Sequence, residues 1–151
     1  MNLSSSSSLA DLLDPQEGVA LRRDLEARIG ARAVRREIDH GRWQRPLLGV
    51  VVTHNGPLTP EQDLWVDVLG AGRGAVLAGL TAAQAGGLRG FEDGHARRWV
   101  LVPHGQKGAQ RRPGLVVKSS TALQAEAVLS VARPPRTRIA RSLVDAGLGI
   151  V

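Results

Sequence analysis

An α+β protein in two parts is what this sequence predicts, and three features carry the expectation. Through His40 the apolar residues recur at helical spacing in short segments. From Trp43 to Val52 the chemistry changes to that of strands, punctuated by Pro46 and Gly49. Beyond Pro57, helix-like and strand-like stretches follow one another, which reads as a small α/β domain with a short sheet. The 151 residues suffice for one ordinary domain or two very small ones. The expected division is a Ser-rich, disordered tail over 1–8, a first domain over 9–56 and a second over 57–151.

The first helix is predicted from Leu9, Leu12 and Leu13, which share one face; it stops before Pro15 and Gly18. A second covers Ala20 to Ile29, with Leu21, Leu25 and Ile29 four apart, and Gly30 breaks it. A third runs from Ala31 to about His40, with Gly41 as its C-terminal stop. In this third segment Ala31, Val34 and Ile38 form one narrow apolar stripe. Arg32, Arg35, Arg36 and Asp39 lie on the other side.

Two short helices joined by a Gly-containing turn, the second of them basic, fit a helix-turn-helix. The strand pair after it completes the order of an N-terminal winged helix-turn-helix. In that reading Arg32, Arg35 and Arg36 enter a major groove, where guanidinium groups pair with guanine edges or phosphates. Arg42 and Arg45 become wing or wing-base residues that touch phosphate. Trp43 is expected in the core, pinning the hairpin to the third helix. A charged face is also what any solvated surface helix shows, so charge alone decides nothing.

In the second domain, Thr59-Pro60-Glu61 reads as an N-cap, a Pro at the first helical position and an early acid. Leu64, Trp65, Val68 and Leu69 supply that helix with an apolar face. Gly74 to Leu88 is expected as a helix of small residues, packed closely against a sheet or another helix. Strands are expected over 98–103, 114–119 and 127–131, with a basic loop from His104 to Pro113 carrying Lys107, Arg111 and Arg112. Thr137 is expected to cap a last helix from Arg138 to Ala146, on which Arg141 and Asp145 would form an intrahelical ion pair.

Charge is unevenly spread around a formal net of +6. Residues 1–19 carry only acids, 20–45 hold eight Arg against four acids, and 91–151 hold ten basic residues against four acids. Two basic blocks flanking a nearly neutral middle suit contact with a polyanion, since neutralising phosphates releases counterions.

Composition excludes several chemistries. There is no Cys, hence no disulfide, thiolate catalysis, Cys-ligated zinc or iron–sulfur cluster. Three Trp, one Phe and no Tyr leave little for stacking single-stranded bases. The four His (His40, His54, His95, His104) lack metal-ligand spacing, and neither GxSxG nor GxxxxGK[ST] occurs. The expectation is therefore a non-enzyme with no cofactor and no metal. No apolar run approaches the ~20 residues needed to cross a bilayer, and no signal-peptide pattern opens the chain. A cytoplasmic protein without a membrane partner is expected.

The stretch from Gly18 through Val52, GVALRRDLEARIGARAVRREIDHGRWQRPLLGVVV, resembles the N-terminal winged-helix domain of AbiEi-type antitoxins. It is similar also to modules that precede Vsr-like endonuclease domains in actinobacterial proteins. A Gly-Val start, a helix-turn-helix, the Gly41-Arg42-Trp43 step and a Gly-Val strand ending occur in that order. The later VLVP strand, the basic loop and PPRTRIARSLVDAG extend the resemblance over about residues 18–147. One departure is the aliphatic Val50–Val52, where the family's strand usually carries a Tyr.

The resemblance implies duplex DNA as partner, and a regulator akin to the antitoxin of a type IV toxin-antitoxin system that represses its own operon. It also allows a nucleotidyltransferase-like toxin as a second partner. Two alternatives stand beside it: the DNA-targeting half of an endonuclease-type protein lacking its catalytic domain, and a protein-interaction module with an acidic partner. Val151 closes either a naturally short form or a part of a longer nuclease-type chain.

Overall fold

The structure, a computed structural model, describes residues 9–87, 97–121, 128–129 and 134–138. It is a mixed α+β protein with two small sheets. The chain divides into two compact units, Met1–Gly70 and Ala71–Val151. The division between the units falls at the last residue of the helix that opens at Pro60, whereas the sequence reading sets the boundary at the Asn55–Pro57 turn.

In the first unit, residues 9–13 are helical (α1) and lead through a 3-10 turn, Asp14–Gln16, to strand β1, Val19–Leu21. Helix α2 (Arg22–Ile29) and helix α3 (Ala31–Asp39) follow, then β2 (Gln44–Leu47), β3 (Val50–Val52) and helix α4 (Pro60–Ala71). The three strands pair antiparallel in the order β1-β3-β2. Strand β1 corrects the expected start of the second helix. Ala20 and Leu21 suit a helix locally, but they pair with Val51 and Val50 across the sheet.

The purely aliphatic β3 follows from its position. As the central strand it is covered on both faces, and Val50, Val51 and Val52 are all buried. Side chains alternate across a strand, so Ala20 and Val51 pack with Leu25 and Val34, joined by Leu9, Leu12, Leu13, Ile29, Ile38 and Trp43. Val19, Val50 and Val52 turn the other way, onto Trp65 and Val66 of α4. Helices thus cover each face of the small sheet, which gives a short chain a closed core.

Helix α4 starts as the sequence predicts, with a reciprocal cap. Thr59 Oγ1 accepts from the Gln62 N–H at 3.2 Å, and Gln62 Oε1 accepts from the Thr59 N–H at 3.0 Å. Gln62 Nε2 also donates to the Glu17 carbonyl at 2.9 Å, tying the helix to the entry of β1. His54 completes this cluster. Its Nδ1 accepts from the Gly56 N–H at 2.9 Å, so the proton lies on Nε2, which donates to Gln62 Oε1 at 3.0 Å.

The second unit holds a five-stranded sheet of order β6-β5-β4-β8-β7. Its strands are β4 (Val76–Leu77), β5 (Arg98–Pro103), β6 (Leu115–Ser120), β7 (Val128–Leu129) and β8 (Arg136–Thr137). Strands β5 and β6 are parallel, as are β4 and β8; β4 with β5 and β7 with β8 are antiparallel. Helix α5, Gly79–Ala85, buries Ala82 and Ala83. Thr81 Oγ1 accepts from the Trp99 N–H at 2.9 Å and so fastens α5 to β5.

Two expectations are corrected here. The helix expected over 74–88 is shorter, because β-prone Val76 and Leu77 find partner strands on both sides. Thr137 is a buried strand residue of β8 rather than a helix cap. The tail 1–8, the end of the small-residue helix at Leu88, most of the strand expected over 127–131, and residues 139–146 of the last helix lie outside the described residues.

Candidate nucleic-acid interface

One residue separates α2 from α3. Gly30 takes φ +89° and ψ 152°, a conformation open to glycine and costly for residues with a Cβ. Its carbonyl accepts the Val34 N–H at 3.2 Å, which starts α3 immediately. At the other end Gly41 has φ +73°, and its N–H donates to the Ile38 carbonyl at 3.0 Å. A short, sharply bounded helix results.

Inside those bounds the faces sort much as their spacing predicts. Val34 is buried and Ile38 half-buried, while Arg32, Arg35, Arg36 and Asp39 are exposed. Ala31, expected on the inward stripe, is exposed in the first turn. Arg35 Nε lies 3.5 Å from Asp39 Oδ2, with 77% and 61% of the two side chains exposed. Such a solvated i,i+4 pair is worth a few tenths of a kcal/mol, so a phosphate or guanine can replace it at little cost. Arg32, Arg35 and Arg36 thereby present three guanidinium groups on one exposed helix.

The hairpin root is pinned to the end of α3. Arg42 Nε donates to Glu37 Oε2 at 2.6 Å and Nη2 to Glu37 Oε1 at 3.0 Å, a forked pair. The Glu37 carbonyl also receives the Arg42 and Trp43 N–H groups. Asn55 Nδ2 adds a bond to the Gly41 carbonyl at 2.9 Å. Trp43, half-buried, packs into the cluster of Leu25, Val34 and Val51, as its expected core role requires.

Arg42, expected at the wing base, has its guanidinium engaged with Glu37 and close to His40 Nδ1 at 3.2 Å, with 51% of the side chain exposed. Arg45 is exposed on β2. Leu48, at the hairpin turn, is 81% exposed, and the adjacent Gly49 carbonyl accepts the Arg22 N–H at 2.8 Å. The turn therefore lies beside the start of α2. Neither Leu48 nor Glu37 stands out in the sequence: a pair five apart across a helix end has no periodic signature.

The Arg42 hydrogen bonds hold the Glu37 carboxyl below the usual carboxylate range, and Glu37 raises Arg42 in turn. A carboxylate with a lowered folded-state value adds stability above its unfolded value and loses it as pH falls through the folded one. The advantage of wild type over Glu37→Gln is expected to stay constant at neutral pH and vanish in acid. Paired melting curves against pH measure it; parallel curves down to strong acid would show that the pair contributes nothing.

Among the described residues no group of His, Asp and Glu could hold a metal ion, and no helix is long and apolar enough to cross a membrane. No protein-family model and no curated protein sequence matches the chain.

Proposed function

We propose that the first unit is a winged helix-turn-helix that binds duplex DNA, and that the protein is a transcriptional regulator akin to a type IV antitoxin. The observation that carries this reading is α3: Arg32, Arg35 and Arg36 are exposed on a helix whose ends are set by Gly30 and Gly41. The order helix, strand, helix, helix, hairpin, with sheet order β1-β3-β2, supports it. In that arrangement α3 enters the major groove and Arg45 on β2 meets the flanking backbone. Arg42 acts as a positioning residue, holding the hairpin root against α3 through Glu37.

A fluorescence-anisotropy titration tests this, using the DNA upstream of the coding sequence and a scrambled duplex at two salt concentrations. A regulator is expected to prefer the upstream DNA, and affinity for both duplexes should fall with salt, with a log–log slope of about −0.9 per phosphate neutralised. Equal affinity for both duplexes would leave a DNA-targeting module without a regulatory site. No binding at low salt would end both DNA readings.

A further inference from the structure

The second unit contains a long stretch without a single acid. Residues 97–121 hold Arg97, Arg98, Lys107, Arg111, Arg112 and Lys118, and neither Asp nor Glu. This stretch forms β5, the basic loop and β6, and β6 ends the strand order of the sheet. A groove of about 440 Å³ lies along it, lined by Ala109, Arg111, Arg112, Leu115, Val116 and Val117. Apolar β6 side chains and loop guanidinium groups therefore share one concavity.

The backbone of β6 shows which groups face outward. The Arg98 N–H donates to the Gly114 carbonyl at 2.8 Å, and the His104 N–H to the Ser120 carbonyl at 3.1 Å. Alternate residues of a paired strand address the same neighbour. The main chain at Val116, Lys118 and Ser120 thus turns to β5, and that at Leu115, Val117 and Ser119 turns to the edge. The Leu115 N–H is used locally, by the Arg112 carbonyl at 3.1 Å. Val117 and Ser119 leave a short ladder at a strand edge among the described residues.

We propose that this edge receives an extended acidic segment of a partner protein as an added strand. Main-chain bonds to Val117 and Ser119 would supply the pairing. Alternate apolar side chains would lie on Leu115 and Val117, and carboxylates would meet Arg111 and Arg112. Duplex DNA fits this place less well, because phosphates gain nothing from an apolar wall and cannot donate to the outward carbonyls of a strand edge. The site belongs to the second unit and α3 to the first, so the proposal does not depend on the DNA reading.

The test uses the full chain and a fluorescein-labelled peptide of about ten residues alternating Glu and Val, with a Lys-Val peptide as control. The acidic peptide is expected to bind and the control not to. Val117→Pro removes an outward N–H without touching the bonds to β5, and should weaken the acidic peptide about tenfold or more, as should Arg111→Glu. If Val117→Pro lowers the melting temperature, Arg111→Glu decides alone. No binding of the acidic peptide, equal binding of the control, or unchanged affinity in Arg111→Glu would overturn the proposal. So would loss of duplex binding in Arg111→Glu with peptide binding intact, which would assign these cations to nucleic acid.

Discussion

Arg35→Ala and Arg36→Ala are each expected to weaken duplex binding by about 1–3 kcal/mol if they read bases, roughly fivefold to 150-fold, with the fold intact. Both side chains are exposed on α3 and take no part in the core built on Val34. Removing Arg35 gives up only a solvated pair with Asp39 on the protein's side. The loss should therefore appear in the complex and not in the melting temperature. Arg42→Ala separates positioning from contact. Acting through Glu37, it should lower affinity while leaving the salt slope unchanged, and Glu37→Gln should reproduce its effect. Anisotropy titrations across a salt series measure all four variants. Wild-type binding by both Arg35→Ala and Arg36→Ala would mean that α3 does not enter the groove.

The largest stability effect is expected at Leu25. Its side chain is fully buried between β1, β3 and α3, so Leu25→Ala removes packed volume that the short sheet cannot collapse to refill. The expected cost is about 2–5 kcal/mol. For a unit this small, each kcal/mol corresponds to about 4–8 °C in the melting temperature. Trp43→Ala in the same cluster should cost less than the ~3–5 kcal/mol of a fully buried Trp, because Trp43 is only half-buried. Thermal melts of the two variants check this order. A Leu25→Ala protein that melts like wild type would mean that this cluster does not hold the unit together.

Much of the candidate interface is legible in the sequence because it rests on local rules. Gly30 and Gly41 bound α3, and three-to-four spacing separates Val34 and Ile38 from Arg32, Arg35 and Arg36; backbone preference and helical period determine both. Pro46, Gly49 and the β-branched Val50–Val52 likewise mark the hairpin. What the local pattern missed is contact between non-adjacent positions. The pairing of Arg42 with Glu37 appears only when the chain turns at Gly41 and brings the two together. Leu48 reads as one more apolar residue until the hairpin leaves it 81% exposed.

The fold divides along the same line. From sequence alone come the α+β class, α3 with its basic face, the capped start of α4, and the longer strands β5 and β6, marked by the apolar runs Trp99–Val102 and Leu115–Val117. Tertiary structure decided the short strands β1, β4 and β8, which are two or three residues long. A segment that short has no period to read, and its conformation follows from the partner that takes up its hydrogen bonds. Val19–Leu21 is a strand because Val50–Val52 lies beside it, and Thr137 is buried in a strand because β8 runs between β4 and β7.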